Sequence, residues 1–166
     1  LLHVLLSAVV PGTLSTAIRA ERKVFAWASS SNATVAQLTN ASWAGIFDGV
    51  HAGCGVEIVA SGTASVTMSV NDTIFAQCTA LKRAVEAGGG EFHVWTNAVP
   101  QVLLDNPSLR ASFIDSAIDA AHKHGIQGFS IDDETDCAPR STLQNFTAWV
   151  EFINQFSDAL HAASPP

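Results

Sequence analysis

Segments with the two-residue period of a strand alternate four times with segments of helical period, and nothing else in this chain constrains its fold as much. Lys23 to Ala28, Ala44 to Ala52, Glu91 to Thr96 and Ile126 to Asp132 are the expected strands. A helix is expected over Thr34 to Leu38. A second runs from Thr73 to Ala87, with Ile74, Cys78, Leu81 and Val85 at helical spacing before Gly88-Gly89-Gly90. A third has Asn106 as N-cap and Pro107 in its first turn. It carries Leu109, Phe113, Ala117 and Ala121, and ends in His122, Lys123 and His124 before Gly125. The last begins near Ser141 or Thr142 and presents Leu143, Phe146, Val150, Ile153 and Leu160 as its apolar stripe. Cys54 to Val70, rich in Val, Ser, Thr and Gly, adds a short extra strand or hairpin.

Strand and helix repeated four times predict an α/β fold with parallel strands and right-handed crossovers. This is the first half of an eightfold barrel of the TIM, (β/α)8, type. A full barrel usually needs about 250 residues, and this sequence has 166. It is therefore expected to be a fragment, a truncated product, or a half-barrel that pairs with a second half or a missing C-terminal half to cover its open edges. Hydrophobic residues make up 48% and charged residues 14% of the chain, which argues for a packed globular unit over disorder. A net charge of -7 with only 8 Lys plus Arg disfavours nucleic acid, whose phosphates need a basic patch. A neutral sugar polymer is compatible with this acidity.

The fourth expected strand runs directly into carboxylates: Gln127-Gly128-Phe129-Ser130-Ile131-Asp132-Asp133-Glu134. Alternation puts Ser130, Asp132 and Glu134 on one face and Phe129 and Ile131 on the other. Next-but-one residues on a strand are roughly 6 to 7 Å apart, so Asp132 and Glu134 are close enough to influence each other's protonation. One carboxyl can then stay protonated near neutral pH and act as an acid. The other readings of the cluster are a solvated acidic loop and, because hard cations take carboxylate oxygens, a calcium site.

At these eight positions the chain resembles the family 18 glycoside hydrolases, chitobiase-like members among them, whose motif Asp-Gly-x-Asp-x-Asp-x-Glu ends the fourth strand of a TIM barrel. Gly128, Asp132 and Glu134 match, while Gln127 and Ser130 replace the first two acids. Thr135 to Arg140 also resembles a chitobiase-type loop. The resemblance implies cleavage of β-linked N-acetylglucosamine with no cofactor and no metal. Glu134 falls on the proton donor and Asp132 on the residue that orients the substrate's acetamido group. The acetamido oxygen itself is the nucleophile in this substrate-assisted scheme. Ser130 falls on a buried Asp that shares a proton with its neighbour. The family's Tyr from a later strand has no counterpart, since the chain contains no tyrosine. The resemblance thus leaves three readings: an enzyme, a non-catalytic carbohydrate-binding relative, and a structural glycoprotein.

Barrel active sites lie at the carboxyl ends of the strands, which singles out Trp27 and Trp95. Their rings either stack on pyranose rings as substrate-binding groups or pack into the core or helix layer. Trp43 and Trp149 read as core residues, and His51 and His93 as core or rim histidines. His122 and His124 suit a helix C-terminus. Ser29-Ser30-Ser31 lacks nucleophile-elbow glycines, and Gly88-Gly89-Gly90 lacks the Lys-Ser or Lys-Thr of a phosphate loop.

Residues 1–20, opening Leu1 to Val10, read as the remnant of a signal peptide, too short for a membrane anchor, or else as a buried strand or helix. The barrel-like domain then spans 21–166. Sequons at Asn32, Asn40, Asn71 and Asn145 fit export to a secreted or lysosomal destination, although Asn also caps helices, Asn71 in particular. Cys54, Cys78 and Cys137 leave an odd count. Cys78 is expected as a buried structural thiol on its helix. Cys54 and Cys137 both follow expected strands and lie at the same end of a barrel, where a bond between them is one arrangement.

Overall fold

The computed structural model describes residues 23–39, 46–132 and 143–163, with the backbone alone for 143–145. Among these residues six strands and six helices follow in the order β1 (Phe25–Ala28), α1 (Asn32–Leu38), β2 (Gly49–Ala52), β3 (Val56–Ser61), β4 (Ser65–Val70), α2 (Asp72–Gln77), α3 (Thr79–Ala87), β5 (Glu91–Thr96), α4 (Gln101–Asp105), α5 (Pro107–His124), β6 (Gly128–Ile131) and α6 (Leu143–Ala163). The four strands expected from alternation form one sheet in the order β1-β2-β5-β6. Every pairing in it is parallel, with Phe25 opposite Gly49, Gly49 opposite Glu91, and His93 opposite Gly128. The sheet is open among the described residues.

The expected extra hairpin is β3–β4, an antiparallel pair turning through Gly62, whose φ of 58° favours glycine. It docks beyond the end of β5 through Asn97. The carboxamide oxygen of Asn97 accepts from the Ile58 amide at 2.6 Å, and its nitrogen donates to the Ile58 carbonyl at 3.1 Å. On the far side, Ser116 of α5 accepts from the Met68 amide at 2.9 Å.

One face of the sheet carries the core. Val50 and Ala52 of β2 and Phe92 and Val94 of β5 are at most 2% exposed, and they join Leu81, Leu103, Leu104, Phe113, Phe152 and Phe156 from the helices. The punctuation of α5 is as expected. Asn106 Oδ1 accepts from the Ser108 amide at 3.1 Å, Pro107 opens the helix, and Gly125 closes it at φ 61°. Arg110, 3% exposed, donates to the carbonyls of Leu103 and Leu104 and so satisfies the end of α4.

Five expectations need correction. The single helix from Thr73 to Ala87 is two helices, α2 and α3, broken at Cys78. Cys78 is not a free thiol: it is bonded to Cys54, with the Cα atoms 6.0 Å apart. That cross-link anchors the break to the loop after β2, and Phe75 is buried instead of Ile74, which is 42% exposed. Cys54 therefore does not pair with Cys137, which lies outside the described residues. The second strand starts at Gly49 instead of Ala44; Ile46 precedes it in a turn. In α6 the fully inward side chains are Phe152 and Phe156; of the expected stripe, Ile153 and Leu160 pack partly buried against the core, while Phe146 and Val150 are 64% and 38% exposed. Phe113 and Phe129 lie 5.6 and 5.8 Å from the Phe156 ring and set the face that α6 turns inward.

Candidate functional site

Strand alternation leaves Phe25, Trp27, Gly49, His51, Glu91, His93, Trp95, Gly128 and Ser130 on the opposite face of the sheet. Register then aligns them in rows. Trp27, His51, His93 and Gly128 stand side by side across all four strands, and Trp95 is level with Ser130. The inner row of β6 is polar or small and its outer row, Phe129 and Ile131, packs against the core, as the alternation predicted.

At the amino end of this face, Lys23 bonds Glu91, and Glu91 Oε2 lies 3.1 Å from His93 Nε2. Burial alone would raise the Glu91 pKa, but the Lys23 ammonium and His93 outweigh it and hold the carboxyl below its ordinary value. Burial, aided by Lys23, lowers the pKa of His93 despite Glu91. His51 is pushed down to about 4 by burial and by His93. Neutral imidazoles follow at neutral pH, and their environment is aromatic. Phe25 lies 4.9 Å from His51 and 4.4 Å from His93, Trp27 lies 5.5 Å from His51, and the two imidazoles are 5.2 Å apart. The buried Nδ1 of His51 has no hydrogen-bond partner among the described residues.

At the carboxyl end the face opens. Trp27 is 44% and Trp95 37% exposed, their ring centroids 6.5 Å apart at 59°. The Asp132 amide donates to the Thr96 carbonyl at 2.8 Å, so the ladder continues one residue past β6 and Asp132 keeps the parity of Ser130. At the other end Gln127 is part of the sheet: its amide donates to the Phe92 carbonyl at 3.0 Å, and its side-chain oxygen accepts from the Phe92 amide at 2.7 Å. The structure thus puts Trp27, Trp95, Ser130 and Asp132 on one face of the sheet, with Trp95 level with Ser130 and Trp27 one row before them. Glu134 lies outside the described residues, with Asp133, Asp136 and Trp43.

Sequence reasoning took His51 and His93 strand by strand and missed that register sets them in the same row as Trp27. It also missed Gly53, which follows β2 directly beneath the Trp95 ring. The parity of Trp27, His51, His93 and Trp95 was a usable signal once the strands were aligned. Of the sequons, Asn32 and Asn71 are exposed, and Asn71 Oδ1 caps α2 by accepting from the amides of Thr73 and Ile74. Asn40 and the Asn145 side chain lie outside the described residues. Trp149 packs partly buried against the core. Among the described residues no three His, Cys, Asp or Glu converge as metal ligands, and no helix is long and apolar enough to cross a membrane.

No protein-family profile and no curated protein matches the chain. Solved structures do. A class V chitinase from Nicotiana tobaccum superposes with a TM-score of 0.56 at 14% identity, over 83% of this chain and 39% of the chitinase. A GH18 chitinase from Cycas revoluta, crystallised with (GlcNAc)3, superposes with a TM-score of 0.55 at 16% identity, over 85% of this chain and 43% of its own. A further structure of the tobacco enzyme, a mutant, holds NAG4. This chain carries part of the TIM-barrel fold of the family 18 chitinases, spanning 39% to 43% of the length of those it resembles.

Proposed function

We propose that the protein is a glycoside hydrolase acting on β-linked N-acetylglucosamine, in chitin or chitooligosaccharides, by substrate-assisted retaining catalysis. The observation that carries this reading is that exposed Trp27 and Trp95 share a sheet face with Ser130 and Asp132, with Trp95, Ser130 and Asp132 toward the carboxyl end of a parallel sheet. That is where barrel enzymes do their chemistry. Glu134, two residues beyond Asp132, donates a proton to the glycosidic oxygen as the bond from C1 breaks. The substrate's acetamido oxygen closes on C1, and Asp132 orients the acetamide and stabilises the positive charge on its nitrogen. Water then opens the intermediate, with Glu134 as base. The neighbours crystallised with (GlcNAc)3 and NAG4 support the sugar class. Export to an extracellular or lysosomal site, with glycans on exposed Asn32 and Asn71, belongs to the same reading.

A lectin-like function is the second reading, favoured by Ser130 standing where the family carries an acid. The test is hydrolysis of a fluorogenic chitobioside by the native protein and by Glu134→Gln. Loss of a general acid lowers the rate by about 10²- to 10⁴-fold. Saturable chitooligosaccharide binding without turnover would select the lectin, and absence of both would end the carbohydrate reading.

A further inference from the structure

Gly53 is in the wrong conformation to need glycine for its backbone. Among the described glycines, Gly55, Gly62, Gly89 and Gly125 have positive φ, and Gly53 does not. What excludes a side chain is space: a Cβ on Gly53 would stand 2.6 Å from Trp95 Nε1 and 2.8 Å from both Cε2 and Cζ2. The indole therefore rests directly on the backbone just past β2. That backbone is itself fixed, because the next residue, Cys54, is fully buried and bonded to Cys78 at the junction of α2 and α3. Trp95 nevertheless keeps 37% of its surface open. The same device recurs lower on the face, where Phe25 covers Gly49 and His93 covers Gly128.

We infer that Gly53 is a positioning residue: it seats the Trp95 indole as the wall against which an N-acetylglucosamine ring packs. The inference rests on the carbohydrate reading above. The rings of Trp27 and Trp95, 6.5 Å apart and inclined at 59°, do not sandwich a sugar. A pyranose between parallel rings needs roughly 4 Å of contact distance on each side, about 8 Å in all. The two rings make a corner in which one sugar face lies on Trp95 and the sugar's edge meets Trp27. An alanine methyl at position 53 lifts the indole by the overlap just described and destroys the corner, with no direct contact to the ligand.

The experiment combines Gly53→Ala, Trp95→Leu and the double variant in the full chain. Chitotriose affinity is measured by calorimetry, and the Trp95 indole N–H resonance, assigned with Trp95→Leu, is followed in ¹⁵N-correlated spectra. Gly53→Ala is expected to move that resonance and to weaken chitotriose binding at least about tenfold. In the Trp95→Leu background the same substitution should change affinity by less than about twofold. If Gly53→Ala alone unfolds the protein, Trp95→Leu should restore folding by removing the clash. An unmoved resonance with unchanged affinity, an equal loss in both backgrounds, or failure of Trp95→Leu to restore the fold would overturn the inference. If the native protein binds no chitotriose, the carbohydrate reading and the sugar-facing role fail together, while the indole resonance still decides whether Gly53 seats Trp95.

Discussion

The Cys54–Cys78 bond joins the loop after β2 to the α2–α3 junction across a sequence separation of 24. Removing it frees the unfolded chain. Chain-entropy arithmetic for a loop of that size gives about 12 cal/mol/K, or about 3.5 kcal/mol at 25 °C. A domain of this size loses about 2 to 4 °C of melting temperature per kcal/mol, so Cys54→Ala/Cys78→Ala should melt about 7 to 14 °C below the wild type. Both cysteines are fully buried, so replacement by alanine adds a small cavity and pushes the shift toward the upper end. The measurement is thermal unfolding followed by far-ultraviolet circular dichroism without reductant, together with peptide mapping under the same conditions. A melting shift below about 2 °C would refute the cross-link argument, since the unfolded state would then gain almost nothing from release. Recovery of a Cys54–Cys137 peptide in place of Cys54–Cys78 would refute the pairing itself.

Arg110→Met should cost about 3 kcal/mol in urea unfolding, because it strands the buried carbonyls of Leu103 and Leu104 without their donors. Glu151→Ala, which removes a 3.6 Å partner that is itself 58% exposed, should cost less than about 1 kcal/mol. Acidification should destabilise the protein through His51. With its folded pKa near 4 and an ordinary value of 6.5, the unfolded chain binds the proton first. The stabilisation is therefore complete above about pH 6.5 and is lost as pH falls toward 4. Melting temperature measured across that range should fall less steeply in His51→Phe, and parallel profiles would exclude His51 as the cause.

What the sequence disclosed, and what it withheld, divides by the range of the interaction responsible. The limits of α5 were legible because Asn106, Pro107 and Gly125 act on their own turns of backbone. The parallel sheet was legible because four strand-period segments separated by helical ones leave few other topologies. The break at Cys78 was not, because its partner lies 24 residues away and helical spacing continues unbroken through the cysteine. The buried face of α6 was legible only in part. Ile153 and Leu160 of the expected stripe do pack on the core, but the aromatic rings of Phe113 and Phe129 on other elements draw in Phe152 and Phe156 and leave Phe146 and Val150 exposed. The candidate site shows the same division within a few ångströms. Ser130 and Asp132 follow from parity along a single strand, but the meeting of Trp27, His51 and Trp95 exists only once register is fixed. A one-residue slip in any strand would send its member of the row to the helix-covered face. Gly53 depends on the longest chain of causes: register brings Trp95 over it, and a disulfide to another helix junction holds it there. A glycine at a strand's end reads locally as a turn, and only the ring resting on it shows that the missing side chain is the space the indole occupies.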